Sequence, residues 1–224
     1  MGILEMLIFG FITILIVYGL LMLVFFLKQQ KFIFYPLSLE KIHVFEFSFP
    51  FEERIFTPEK GIRIHSILAH STEKKGLIFY LHSNSGNLNK WGNDIIPDLL
   101  VLGYDVFMMD YRSYGKSTGK ITQKTLISDV EYVYQELTKE YAESKIHLFG
   151  TSIGASLAAY LAAHYFPHQL IMETPFYSMK ELSNHYFPWL PSAFLKYTFN
   201  TYQYCLDIEH NMAITLFHGT ADQI

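Results

Sequence analysis

Cysteine is nearly absent. Cys205 is the only one in 224 residues, and an intrachain disulfide needs two, so a disulfide-stapled scaffold is excluded. Charge is scarce as well: Asp, Glu, Lys and Arg make up 17% of the chain, with 17 basic against 21 acidic residues. The formal net charge of −4 leaves no global basic field that would point to nucleic acid. Repeats and low-complexity stretches are missing too. What is plentiful is apolar and aromatic surface, with 50% hydrophobic residues, 20 Phe and 16 Tyr. A disordered chain lacks such surface, so the composition predicts a heavily buried fold plus a membrane segment. The length suits one or two domains, with one favoured.

The apolar surplus is concentrated at the start. Leu7 to Leu27 contains no charged residue, and Glu5 alone precedes it within the apolar run. At about 1.5 Å per residue such a helix spans roughly 30 Å, the thickness of a hydrocarbon core. A cleaved signal peptide would want a basic start, an apolar stretch of about 7–15 residues and a small-residue cleavage site. Here no Lys or Arg comes first, the run is longer, and Phe25, Phe26, Leu27 and Lys28 close it. The expectation is a single-pass transmembrane helix over 3–27, then a juxtamembrane linker over 28–41. Lys28, Lys31 and Lys41 follow the helix, and this small bias places the rest of the chain on the cytoplasmic side.

Beyond the linker the hydrophobic period alternates between that of strands and that of helices. Strands are expected over 43–56, 62–69, 77–81, 105–109, 146–149, 170–172 and 214–217. Helices are expected over 88–102, 122–141 and 153–165; in the second, Leu126, Val130, Val133 and Leu137 recur at three- and four-residue spacing. Within segment 178–205, residues 185–204 are aromatic, contain proline and have no clean period; packing on the core is favoured for them over contact with an acyl chain or the membrane. Strand and helix in alternation predict an α/β domain over 42–224, a mostly parallel sheet with helices on both faces. Such sheets carry their chemistry in loops beyond the carboxyl ends of the strands.

Two of those loops stand out. After the strand at 146–149 comes Gly150-Thr151-Ser152-Ile153-Gly154 and then an Ala-rich helix, which is G-x-S-x-G in its strand–turn–helix setting. A nucleophilic serine there needs a sharp turn, and small residues two before and two after it let strand and helix approach. After the strand at 77–81 comes His82-Ser83-Asn84-Ser85-Gly86-Asn87. Its backbone N–H groups, from Ser83 or Asn84, could join the N–H of Ile153 as an oxyanion hole worth roughly 3 kcal/mol per donor. His82 is read as ordering this turn rather than as a base. Lys116 and Ser117 after Gly115 do not make a phosphate loop, because Asp110 stands where that pattern needs glycine. His164 and His168 have a metal-like spacing, but Pro167 between them ends the helix.

Taken in order, Leu81 to Asn87, Asp110-Tyr111-Arg112-Ser113-Tyr114-Gly115-Lys116-Ser117, the serine turn and His218-Gly219-Thr220-Ala221-Asp222 resemble the α/β-hydrolase superfamily. The resemblance covers roughly residues 29 to 224. It is to the membrane-anchored serine-hydrolase branch, similar to serine-aminopeptidase-like and bud-emergence-type proteins. One departure is Ser83, where the family usually has glycine. The resemblance implies an α/β-hydrolase fold and a reaction in which Ser152 attacks an ester, thioester or amide. It also implies that Asp222 orients a catalytic histidine, with Glu173 as the alternative acid.

Triad order in this fold is Ser, Asp or Glu, then His, and only Gln223 and Ile224 follow Asp222. The expectation is therefore a hydrolase domain whose last strand and helix are missing. A truncated product, an incomplete gene model, a non-catalytic binding or scaffold relative and a base from a partner chain all stay open. No metal or organic cofactor is implied. The expected partners are the membrane and a small-molecule, lipid or peptide acyl substrate, not nucleic acid.

Overall fold

The structure, a computed structural model, describes residues 2–209 and 211–222. In chain order its elements are α1 (Ile3–Ile33), β1 (Tyr35–Pro36), β2 (Phe51–Phe56), β3 (Ile64–Ala69), β4 (Leu77–Leu81), β5 (Ser85–Gly86) and α2 (Leu88–Leu100). Then follow β6 (Asp105–Met109), α3 (Gln123–Leu137), β7 (Ile146–Thr151), α4 (Ile153–His164), β8 (Gln169–Glu173), α5 (Met179–Tyr186), α6 (Thr201–Asp207) and β9 (Ala213–Phe217). Among the described residues the main sheet has the order β2–β3–β6–β4–β7–β8–β9. β3 is antiparallel to β2 and β6, and every pair from β6 to β9 is parallel. This is the mostly parallel sheet that the alternation of periods predicts.

The sheet is buried on both faces because its central strands alternate between two cores. Leu77, Phe79 and Leu81 of β4 belong to the core shared with α3 and α4. Ile78 and Tyr80 point into the core shared with α2. An uninterrupted apolar strand is what two covered faces require. Helix starts follow local chemistry: Asn87 and Thr122 cap α2 and α3 by accepting from the backbone N–H of Lys90 and Thr125.

Two expected elements differ from what the structure contains. The strand expected over 43–56 is a strand only from Phe51. Ahead of it Phe45, Phe47 and Phe49 stack on one another, with ring centroids 5.5 Å and 5.0 Å apart. The α2 side of the core takes up these rings, so this stretch is held by side chains rather than by a ladder. Pro50, which has no N–H to give a neighbouring strand, stands just before β2.

The second difference is in α1. Its 31 residues are about 46 Å long at ~1.5 Å per residue, and it runs through 28–33, the first part of the expected linker. Gln29, Gln30 and Lys31 are good helix formers. The Gln29 amide is also held at both ends, donating to the Phe194 carbonyl (2.6 Å) and accepting from the Lys196 N–H (2.7 Å). After α1 the chain is stitched to the domain. β1 pairs with β5, and Ser38 bridges Gly115. Most of α1 is exposed; Met22 and Gln29 are its buried residues. By length and apolar composition it is a helix that could cross a membrane.

The aperiodic segment 178–205 contains α5, a single 3-10 turn at Ser192–Phe194 and the start of α6. It was expected to pack on the core. Met179, Tyr197 and Phe199 do so, but the segment also straps across α1. Phe187 and Trp189 lie 6.2 Å and 6.4 Å from Phe25, and Phe194 lies 6.5 Å from Phe26.

Candidate active site

Ser152 sits between β7 and α4 with φ 56° and ψ −114°, a region that side-chain-bearing residues avoid at a cost of about 1–3 kcal/mol. The glycines on either side make this turn possible. A Cβ on Gly150 would overlap the carbonyl of Gly154, and a Cβ on Gly154 would overlap the carbonyl of Leu81. The strand end, the helix start and the end of β4 are therefore in backbone contact. The Ser152 N–H donates to the Glu173 carbonyl (2.9 Å), which ties the turn to β8. Among the described residues no side chain hydrogen-bonds the Ser152 hydroxyl.

The loop 82–87 approaches from β4. His82 is fully buried, and its Nδ1–H donates to the Ser83 carbonyl at 2.7 Å. Tyr111 donates its hydroxyl hydrogen to the His82 carbonyl (2.7 Å), Tyr114 to the Asn84 carbonyl, and the Trp91 indole to the Ser85 carbonyl (2.7 Å). The Asn84 side chain donates to the Ile33 carbonyl (2.6 Å), and the Tyr35 N–H donates to the Asn84 carbonyl. The end of α1 thus holds the loop in place. The non-glycine residues with positive φ among those described are Lys74, Ser113, Ser152, Thr174 and Phe199, so Ser83 keeps ordinary backbone.

Behind His82 lies Asp110, also fully buried. Its Oδ1 accepts from the Leu88 N–H at the start of α2 (3.0 Å) and is 3.7 Å from His82 Nε2, too far for a direct hydrogen bond. Burial lowers the His82 pKa to about 4 and raises that of Asp110 well above the usual carboxylate range. Both groups are driven toward their neutral forms. His82 is thus an ordering residue of the turn, and Asp110 fastens the turn to α2.

The two acid candidates stand at the carboxyl ends of neighbouring strands. Glu173 ends β8 and accepts from the Thr151 hydroxyl (2.8 Å), which is also 2.7 Å from the Tyr80 hydroxyl. This Tyr80–Thr151–Glu173 chain, buried at Tyr80 and Thr151 and half-buried at Glu173, underlies the serine turn. Asp222 follows β9, with its Oδ2 3.4 Å from Nε2 of His218 and its N–H on the Gly219 carbonyl. His164 bonds the Tyr160 carbonyl, whereas His168 packs on His147. The two therefore have separate neighbours.

Ser152, Ile153 and Asn84 line a cavity of about 200 Å³, and Ser83 lies outside this lining. The remaining wall is mostly apolar and comes from two sources. α1 contributes Phe25, Gln29, Phe32 and Ile33, while the 176–195 stretch contributes residues such as Met179, Leu182 and Phe187. The α1 residues were not legible as site residues. Their only trace in the sequence is a pair of uncharged amides, Gln29 and Gln30, just past the apolar run. Ser183, also in the wall, is buried with no partner for its hydroxyl among the described residues.

Comparison with known proteins agrees with this architecture. A family model described as the alpha/beta hydrolase fold matches residues 76–207, more than half of the chain. Protein bem46 of Schizosaccharomyces pombe is 29% identical over 183 residues, covering 76% of this chain and 61% of that protein. The lysophosphatidylserine lipase ABHD12 of Danio rerio is 31% identical over 114 residues, covering 47% of this chain and 29% of the lipase. The chain thus spans less than two thirds of the length of these curated relatives. Among solved structures, an esterase from Pyrococcus furiosus superposes with a TM-score of 0.60 at 20% identity, covering 82% of this chain and 75% of the esterase. At that identity the likeness speaks for the fold alone. On the matched residues, the sheet order and the turn at Ser152, the chain belongs to the α/β-hydrolase family.

Proposed function

We propose that this chain is a membrane-anchored serine hydrolase that cleaves an ester, thioester or amide. Ser152 Oγ attacks the acyl carbon while a histidine takes its proton. The N–H groups of Ile153 and Asn84 hold the developing oxyanion. The same imidazole protonates the departing alcohol, thiol or amine, and water then releases the acyl group from Ser152. Asp222 is the acid that orients the imidazole; Glu173 is already engaged by Thr151 and is read as part of the turn's support. The required histidine is not among the described residues.

The observation that carries this reading is the hydroxyl of Ser152, held at a strained positive φ on the wall of an apolar cavity and bonded to no described side chain. α1 is read as the anchor, with the hydrolase domain on the cytoplasmic side by the lysines that follow it. The mostly apolar wall is compatible with a lipid substrate like that of one relative, a lysophosphatidylserine lipase. The second reading is a binding or scaffold module without catalysis, favoured by the absence of any described histidine bonded to Ser152.

The test is labelling of the purified chain with a fluorophosphonate probe, which phosphonylates an activated serine. Labelling that disappears in Ser152→Ala is expected. Labelling no greater than in that variant would favour the module.

A further inference from the structure

We propose that the cavity over Ser152 binds the acyl chain of a membrane lipid, and that the last turns of α1 form one wall of that binding site. This rests on the reading of Ser152 as the acyl acceptor and of α1 as the anchor. It goes further by making the anchor part of substrate recognition.

Three observations carry it. First, the cavity wall is continuous with the apolar helix. Phe25, Phe32 and Ile33 line the cavity, while the preceding turns of the same helix expose apolar side chains such as Leu15, Val17 and Leu21. A helix about 46 Å long exceeds a hydrocarbon core of roughly 30 Å by about three turns, so its end can reach from the bilayer to the serine.

Second, the chain builds specific structure to hold that helix end against the site. Gln29 clasps the backbone at 194–196 through both ends of its amide. Tyr18 donates to the Trp189 carbonyl (3.1 Å), and Asn84, itself in the wall, donates to the Ile33 carbonyl (2.6 Å). A helix that served only as a tether needs none of these bonds.

Third, the wall is unfinished. Ser183 is 7% exposed and lines the cavity, and its buried hydroxyl has no hydrogen-bond partner among the described residues. Buried hydroxyls are normally satisfied, and a mere packing gap gives no reason for this one to be left open. An oxygen of a bound lipid supplies the missing partner.

The volume sets the scale. A cavity of about 200 Å³ takes the first part of an acyl chain. A longer chain continues along α1 toward the bilayer.

The experiment uses the full chain in phosphatidylcholine vesicles and a hexadecanoic acid probe carrying a photoreactive diazirine near the carboxyl end. Crosslinks are mapped by mass spectrometry. α1 meets lipid in any case, so the decisive region is α5. Crosslinks are expected on the peptide containing Met179–Tyr186, and they should fall about tenfold in Leu182→Trp, which fills the cavity. Ser183→Leu fills it from a second position and should act alike if the first variant folds poorly. Crosslinks near Leu15 and Val17 should remain. No crosslink on α5, or crosslinks that persist in both folded variants, would overturn the proposal. A short-chain fluorophosphonate on the same samples reports separately on Ser152. Loss of serine labelling with α5 crosslinks intact refutes the hydrolase reading and leaves the lipid site standing.

Discussion

Gly154 shows how tightly the serine turn is set. Its α-carbon lies where any side chain would enter the Leu81 carbonyl, so backbone must move to admit even a methyl group. Gly154→Ala should therefore destabilise the domain by about 1–3 kcal/mol or more, read as a lower melting temperature in detergent micelles. An unchanged melt would mean that β4 and α4 are not in backbone contact. The turn itself was readable in the residues because Gly150 answers a local need, room for the Gly154 carbonyl four positions on, whereas the contact of Gly154 with Leu81 was not. Nor was the buried pair behind it. His82 and Asp110 are 28 positions apart, and only the fold puts them 3.7 Å from each other. That burial has a pH consequence. His82 titrates near 4 in the fold and near 6.5 in the unfolded chain, so acid protonates the unfolded state first. Its contribution to stability is complete above pH 6.5 and is lost as pH falls toward 4, by at most about 3 kcal/mol. His65 and His147, also lowered by burial, act with the same sign. Asp110 has the opposite sign, since its raised pKa costs stability as pH rises above 3.8. Melting midpoints measured from pH 7 to 4.5 carry the sum of these opposing terms, and toward acid those of His82→Gln should move upward relative to the parent's. A slope equal to that of the parent would refute the assignment to His82.

Among the elements, α1 departs furthest from the sequence reading. Its apolar run is visible in the residues, because 21 uncharged positions need no partner to be recognised. Its end is not visible, because residues 28–33 are polar enough for a linker and helical enough for a helix. Tertiary contact decides between these through Gln29. Gln29→Leu keeps the helix propensity but removes two hydrogen bonds, leaving the Phe194 carbonyl and Lys196 N–H without those partners. The expected cost is about 1–3 kcal/mol, together with faster proteolysis of the strap at 187–196. Cleavage at the parental rate would show that the strap is held by the aromatic contacts alone. The region 43–50 makes a related point. Its alternating phenylalanines read as a strand by period, yet side-chain stacking holds them without a ladder. Period reports which side chains share a face and does not report whether a neighbouring strand is present.

At the scale of the whole molecule, two parts meet at one site: a sheet that presents Ser152 and a helix that closes the cavity in front of it. If α1 spans a bilayer, the full chain should stay in the membrane pellet after an alkaline carbonate wash. Release into the supernatant would show that α1 is not embedded. The fold class, the order of strands and helices, the serine turn and the apolar helix are all legible in the residues alone. Each of these follows from local period, local sterics or composition, which neighbours along the chain express together. Folding in three dimensions is what makes the helix end a wall of the serine's cavity, engages Glu173 with Thr151 and leaves the Ser183 hydroxyl without a partner among the described residues. Those facts depend on distances between residues far apart in the chain, such as the 165 positions between Gln29 and Phe194, and no local pattern encodes such a distance.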